Sequence, residues 1–425
     1  MAQLKDLIFA NTHNYKGHLE HQFADLAKLF SRLQDARAHQ GGAALTVYLQ
    51  NQKVLDIYTG KKSAHEDWQE NTLSVCYSTG KGVLATLAHI LVSEGKIQYD
   101  TPVASYWPEF GQNSKAHITL ADILCHHSGL YDIRNNITSA QEMVDWPHML
   151  KVMAQATPRF QPGQEYAYQA LTYGWLVGGC LEKATGQSLQ ALLQQYLVEP
   201  LQLDGAYFGV PVQQLSRVAK PLDYTAATAV SAESATQSKP ANKDKSKRGL
   251  SLSDKIVQFS GQDPQDFLDA MVPKGMKGFS FFDDATLQQP IPAANGVFSS
   301  RSLAKIYAML ANAGRWQGKC LIDPHVFQQL SQIQSYKRDR VMPIPMQWRL
   351  GYHRILTLGK QAEHGFGHIG YNGSGAWCDP QRQLSFAYTH NYPVGSITGD
   401  YRLWAMSQEA IRCADYILKG TKGWF

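Results

Sequence analysis

No long apolar run occurs in this chain. One of its longest weakly polar stretches, Leu171 to Leu181 (LTYGWLVGGCL), is too short to cross a bilayer, which takes about 20 residues, and it contains Tyr, Thr and several Gly. The first twenty residues, MAQLKDLIFANTHNYKGHLE, have neither the apolar core nor the small-residue cleavage site of a secretory leader, so a cytoplasmic address is expected. Charge of one sign is scarce too. Forty Lys+Arg against 35 Asp+Glu leave +5 over 425 residues, which argues against nucleic acid as a partner. Cysteines number only six, with no C-x-x-C pair among them. That removes the usual zinc and redox motifs, and most of the six sit among apolar neighbours, as small core residues do. No internal repeat is visible.

What is present is a large globular core. Hydrophobic residues make up 44% and charged residues 18%, with 9 Trp, 21 Tyr and 16 Phe, a balance that excludes a disordered chain. The length suits two to three domains or one composite one. Residues 17–38 carry Phe23, Leu26, Leu29, Phe30 and Leu33 at helical spacing and predict an N-terminal amphipathic helix. Two β-rich runs, Ala43 to Leu49 and Lys53 to Tyr58, flank the polar turn Gln50-Asn51-Gln52 and predict a hairpin. Helices are expected at 78–93, at 118–130 behind Thr119, and as a pair over 169–198 broken at Ala184-Thr185-Gly186. Residues 225–253 are rich in Ala, Ser, Thr and Lys and predict a loop. Its Lys239, Lys243, Lys245, Lys247 and Arg248 read as a solvated cluster rather than an anion site. A helix at 303–310, a hairpin over 375–388 around Asp379-Pro380-Gln381-Arg382, and a helix at 403–418 close the chain. This order predicts an α/β (α+β) fold: a sheet assembled from both ends, 1–110 and 290–425, with a mainly helical region, 111–289, inserted. It does not fit a βαβ repeat.

A serine hydroxyl is a poor nucleophile unless a base or a charge stabilises its alkoxide. Ser78-Thr79-Gly80-Lys81 offers one locally, because positions i and i+3 share a helix face, and the helix start favours negative charge. Two other pairs have this spacing. Ser93/Lys96 falls at a helix end, beside Gly95. Ser302/Lys305 opens a helix, where Ser302 reads as an N-cap and Lys305 as a solvent-facing lysine.

Two further motifs favour Ser78. Residues 162–178 begin Pro-Gly-Gln-Glu-Tyr-Ala-Tyr, and 366–375 read Phe-Gly-His-Ile-Gly-Tyr-Asn-Gly-Ser-Gly. Together with S-x-x-K they resemble the three motifs of the serine β-lactamase and penicillin-binding-protein superfamily, in its class C-like branch with the family VIII carboxylesterases and D-amino-acid-directed peptidases. ITLADILCHHSGL, IPAANGVFSSRSLAKIYAMLANAG and GSGAWCDPQRQLSFAYTHN resemble supporting stretches of that family. The resemblance implies a β-lactamase-like fold, Ser78 as nucleophile, Lys81 as its activating base, and Tyr168, six residues after Pro162, as general base and as acid to the leaving group. It implies His368 as a substrate-orienting residue in an H-x-G motif. Gly370 would allow close approach of substrate, the N–H groups of Ser78 and Tyr371 would form the oxyanion hole, and Asn295 would border the pocket. Two departures bear on the substrate. Ala170 stands where the family often has Asn, which weakens a lactamase reading, and His368 where its lactamases usually have Lys, which is more like the esterase and peptidase relatives.

On these residues Lys81 should be buried so that its pKa drops, and Tyr168 needs its pKa of about 10 tuned down to serve as a base. His368 could titrate near neutrality. Tyr166 and Tyr173 are decoys for Tyr168. His126 and His127 diverge and lack a partner carboxylate at ligand spacing, so they read as structural, and no metal or cofactor is expected. The expectation is a carboxylesterase for small-molecule esters, working through an acyl-enzyme. A β-lactamase or amidase is the rival within the family, and a catalytically silent binding protein the rival outside it.

Overall fold

The computed structural model describes residues 14–35, 40–223, 262–357, 362–394 and 400–419. The Lys-rich loop expected at 225–253 lies outside the described residues, as do the first 13 residues. Strands β1 (Lys16–Leu19), β2 (Gly42–Leu49) and β3 (Gln52–Gly60) come early. A small second sheet joins β4 (Leu73–Val75), β5 (Ala206–Tyr207), β6 (Val218–Ala219) and β7 (Val297–Phe298). A short pair, β8 (Arg315–Trp316) and β9 (Lys319–Cys320), follows. The last strands are β10 (His353–Arg354), β11 (Phe366–Ile369), β12 (Gly375–Asp379) and β13 (Leu384–His390).

The main sheet has seven strands in the order β1-β3-β2-β13-β12-β11-β10, all antiparallel. Its joint is β13 against β2, from Leu384 opposite Leu49 to His390 opposite Ala43, so the two ends of the chain meet there. Side chains alternate across a strand. Leu45 and Val47 of β2 and Phe386 of β13 enter one core with Leu26 and Phe30 of α1 (Ala24–Asp35) and Met406 and Ile411 of the C-terminal helix Tyr401–Lys419. Thr46 and Ser385 face the other way. Thr46 Oγ1 lies 2.8 Å from Ser300 Oγ, and Ser385 Oγ donates to the Ala304 carbonyl at 2.8 Å, both on helix Ser300–Ala311. With both faces covered, β2 and β13 are buried at every position.

The helical region consists of α2 (Thr79–Ser93), α3 (Leu120–Leu124), α4 (Trp146–Gln155), α5 (Thr172–Thr185) and shorter turns, with α5 packed against α2, α3 and α4. Gly186, at φ 70°, ends α5 where the break was expected. The hairpin turn is tighter than expected. Gln50 and Asn51, at φ 50° and 63°, form a two-residue loop, and Gln52 joins β3.

Two expectations are corrected. The N-terminal helix does not begin at residue 17, because 16–19 form edge strand β1 against β3. Gly17, at φ 125°, lies so close to β3 that a Cβ would sit 2.0 Å from the Asp56 carbonyl oxygen, which no helix would allow. The helix expected over 118–130 has its Thr119 capping box with Asp122 but stops at Leu124, since His126 turns left-handed at φ 61°. Among the described residues no helix is long and apolar enough to cross a membrane.

Candidate active site

Ser78 stands where β4 turns into α2. The turn is made at Tyr77, held at φ 47°, a costly conformation for a bulky residue. Edge contacts from Phe281, Phe282 and Tyr371, with ring centroids at 5.9, 6.5 and 6.1 Å, hold the Tyr77 ring in place. Ser78 occupies the N-cap position, yet its hydroxyl makes no capping bond. Instead Ser78 Oγ lies 2.9 Å from Lys81 Nζ.

Lys81 is fully buried. Its amine donates to the carbonyls of Ala170 at 2.6 Å and Ala293 at 3.0 Å, and no ion pair reaches it among the described residues. Burial without a counter-charge depresses its pKa well below that of an ordinary lysine. A neutral amine has two N–H donors and one lone pair. Two carbonyls and the Ser78 hydroxyl surround Lys81 with three acceptors; once the amine is deprotonated, the carbonyls keep its two N–H donors and the lone pair is left for the Ser78 hydroxyl.

Tyr168 is 4% exposed, with its ring 5.0 Å from Lys81 Nζ. It stacks on Trp348 at 5.5 Å and 9°, and His126 meets it edge-on at 4.9 Å. Burial pushes the phenol pKa up. A hydrogen bond with Ser78 opposes this and the Asp339 carboxylate adds to it. That direction is opposite to what a base needs, so at neutral pH Tyr168 holds its proton.

His368, on β11, is buried with its ring 6.3 Å from that of Tyr168. Its Nδ1 lies 3.0 Å from the Ile369 carbonyl oxygen, and its Nε2 is buried without a hydrogen-bond partner. Burial, with His353 and Lys81 nearby, holds its pKa well below the usual range, so it does not titrate near neutrality as the sequence suggested. His353, which no motif marked, accepts the Ile369 N–H at Nε2 (3.1 Å), so Nδ1 carries the proton to the Arg354 carbonyl (2.7 Å). Burial lowers its pKa to about 4.

Gly370 donates to the Ser374 carbonyl at 2.7 Å, and a Cβ on it would sit 2.3 Å from the Cys76 carbonyl oxygen. Only glycine lets β11's end come this close to the Ser78 turn. Tyr371, 38% exposed, lines the cleft. Asn295 is not among its lining residues. It is buried and braces its own loop, accepting from Ile291 N–H at 2.8 Å and donating to the Thr286 and Gln289 carbonyls at 3.0 and 2.8 Å. That loop carries the Ala293 carbonyl to Lys81.

The cleft encloses about 290 Å³, part of it open to solvent. Ser78, Tyr168, His368 and Tyr371 line it, and Met271, Met342 and Met346 bring apolar side chains to it. Sequence reasoning missed the methionines and Trp348: Met342, Met346 and Trp348 lie in irregular segments without periodicity, and Met271 ends the short helix Pro264–Met271. The decoys have other partners. Tyr166 stacks on His127 at 4.2 Å, and His127 lies 3.6 Å from Asp122. Tyr173 is buried against His126 at 5.2 Å, and the Gln169 N–H donates to His126 Nδ1 at 3.2 Å. Ser302 is not the N-cap expected. Ser299 is, and Ser302 Oγ donates to Asp204 at 2.9 Å while Lys305 reaches the Gln202 carbonyl at 3.0 Å. Cys320 alone of the six cysteines is exposed. Among the described residues no cluster of His, Cys, Asp or Glu could hold a metal ion.

Known proteins resemble this chain in sequence and in fold. The chain is 32% identical over 382 residues to the esterase/beta-lactamase LipL of Mycobacterium tuberculosis, spanning 88% of this chain and 82% of that one. The fold matches the crystal structure of a family VIII carboxylesterase with a TM-score of 0.77 at 25% identity, over 94% of this chain and 99% of that one. A penicillin-binding-protein homologue from Caulobacter crescentus matches with a TM-score of 0.76, also at 25% identity and over 94% and 99% of the two chains. The beta-lactamase family profile matches residues 26–408, and the chain belongs to the beta-lactamase family.

Proposed function

We propose that this protein is a serine hydrolase that cleaves small, uncharged carboxylic esters through an acyl-enzyme on Ser78. The observation that carries the reading is the Ser78–Lys81 contact of 2.9 Å, with the amine fully buried and its donors taken by two carbonyls. Lys81 accepts the Ser78 proton as Oγ attacks the ester carbonyl, and the developing oxyanion takes hydrogen bonds from the N–H groups of Ser78 and Tyr371. Protonated Lys81 returns the proton through the Tyr168 hydroxyl to the departing alkoxide. Water then enters by the same route in reverse and releases the acid. Tyr168 is thus a relay and acid rather than a phenolate base.

The names of the relatives support both an esterase and a lactamase. Ala170, the neutral His368 and the methionine-lined wall favour the esterase, because none of them offers a cation to a carboxylate-bearing lactam. The test compares wild type with Ser78→Ala on p-nitrophenyl butyrate and on a chromogenic cephalosporin, with fluorophosphonate labelling of Ser78. Ester turnover and labelling that vanish in Ser78→Ala are expected. Faster cephalosporin cleavage would replace the esterase by a lactamase, and a folded protein that neither labels nor turns over would be a binding protein.

A further inference from the structure

We infer that Asp339 is a positioning residue for Tyr168, a buried carboxylate that holds both the backbone of the tyrosine and the indole on which its ring lies. The inference rests on the relay role proposed for Tyr168. Asp339 is 2% exposed and belongs to no motif. Its Oδ1 accepts the N–H groups of Tyr168 at 3.1 Å, Val341 at 2.8 Å and Met342 at 2.9 Å. Its Oδ2 accepts the Trp348 indole N–H at 3.0 Å. Four donors and no acceptor around one carboxyl favour its ionised form, against burial, which raises its pKa above the usual aspartate value. Trp348 is the residue on which Tyr168 stacks. The 339–342 turn is strapped to the Tyr168 segment a second time, through Arg340 N–H to the Tyr166 carbonyl at 2.8 Å.

One side chain therefore sets three things: where the Tyr168 backbone lies, which plane its ring adopts, and where Met342 enters the cleft. Small displacements of a proton-transferring group are expensive in rate. The Asp339 charge also disfavours a phenolate, which keeps the relay proton on Tyr168. The other ionisable groups facing Tyr168 are Lys81 from α2, Tyr173 from α5, His126, and His368 from β11. Burial holds both histidines neutral, so they do not offset that charge.

The test is Asp339→Asn, which keeps size and removes charge. Whichever way the carboxamide turns, its NH2 faces a donor, either the indole N–H or the backbone N–H groups. Its expected kcat on p-nitrophenyl butyrate falls roughly 10- to 100-fold with a smaller change in KM. A side chain that only held the fold would move KM and Tm together with kcat, so the role is read as a kcat loss at nearly constant KM and Tm. Trp348→Phe keeps the ring stack and the carboxylate. It is expected to lose less kcat. An Asp339→Asn enzyme with wild-type kcat overturns the inference, and so does a Trp348→Phe loss as large. Should Asp339→Asn not fold, a reduced kcat for Trp348→Phe at unchanged Tm supports the role, and a wild-type kcat overturns it. Wild type without ester turnover removes the proposed function and this role with it; wild-type turnover with an indifferent Asp339 removes only the role.

Discussion

Lys81→Met replaces the buried amine with a side chain of similar length that neither titrates nor accepts a proton. Its effect on catalysis follows from the lost base. General-base groups contribute about 10²- to 10⁴-fold, or about 2.7 to 5.4 kcal/mol of barrier. Its effect on stability is the sharper test. The variant strands the Ala170 carbonyl, at a cost of about 1–3 kcal/mol at every pH, and leaves the Ala293 carbonyl only its 3.5 Å contact from Ser78 Oγ. Wild type carries a second, pH-dependent cost. In the unfolded chain Lys81 keeps its proton up to about pH 10.4, whereas the folded side chain gives it up well below that. Between the two values the unfolded state binds one more proton, so wild-type stability rises with pH by about 1.4 kcal/mol per pH unit and levels off above about 10.4. Methionine has no such dependence, and the other titrating groups are common to both proteins and cancel in the difference. Urea unfolding of the pair at successive pH values should show wild type gaining on Lys81→Met along that slope. Parallel curves would mean that Lys81 is protonated when folded and cannot be the base, which would refute the mechanism. In the same frame, kcat/KM of wild type rises with pH through the depressed Lys81 value and shows no histidine limb near 6.5. His353 titrates at about 4, and His368 is held low by burial.

Three further outcomes are expected. Tyr168→Phe keeps the stack on Trp348 and should leave Tm nearly unchanged while ester kcat falls about a hundredfold; a wild-type rate would remove the relay. Gly370→Ala would place its Cβ 2.3 Å from the Cys76 carbonyl oxygen, pushing β11 off the Ser78 turn. Ester turnover should collapse, with a stability loss of about 1–3 kcal/mol by thermal melt, and full activity would show that the close approach is not needed. Ser302→Ala removes a partner of Asp204 and of the Gly205 N–H, at about 1–3 kcal/mol, and should keep full activity. Loss of fluorophosphonate labelling in that variant would transfer the nucleophile to the second Ser-x-x-Lys pair.

The Ser78–Lys81 pair was legible because it depends on nothing beyond four consecutive residues at the start of one helix. The hairpins at 42–60 and 375–390 were legible for the same reason, since alternation and turn residues are local. The start of the N-terminal helix was not, because Gly17 joins a strand only when β3 lies beside it, some 40 residues on. Asp339, Met342 and Met346 escaped because they sit in irregular stretches, and His353 because its strand is two residues long, too short for spacing to carry information. The sequence by itself determined which groups can do chemistry and in what order they come along the chain. Their protonation states were decided only by the tertiary structure. Burial, with no carboxylate paired to it among the described residues, depresses the Lys81 pKa even though carbonyls 89 and 212 residues away accept its N–H groups, and Tyr168 keeps its proton because Trp348, His126 and Asp339 close around it. Desolvation belongs to the whole surrounding volume, and no local pattern along a chain encodes that volume.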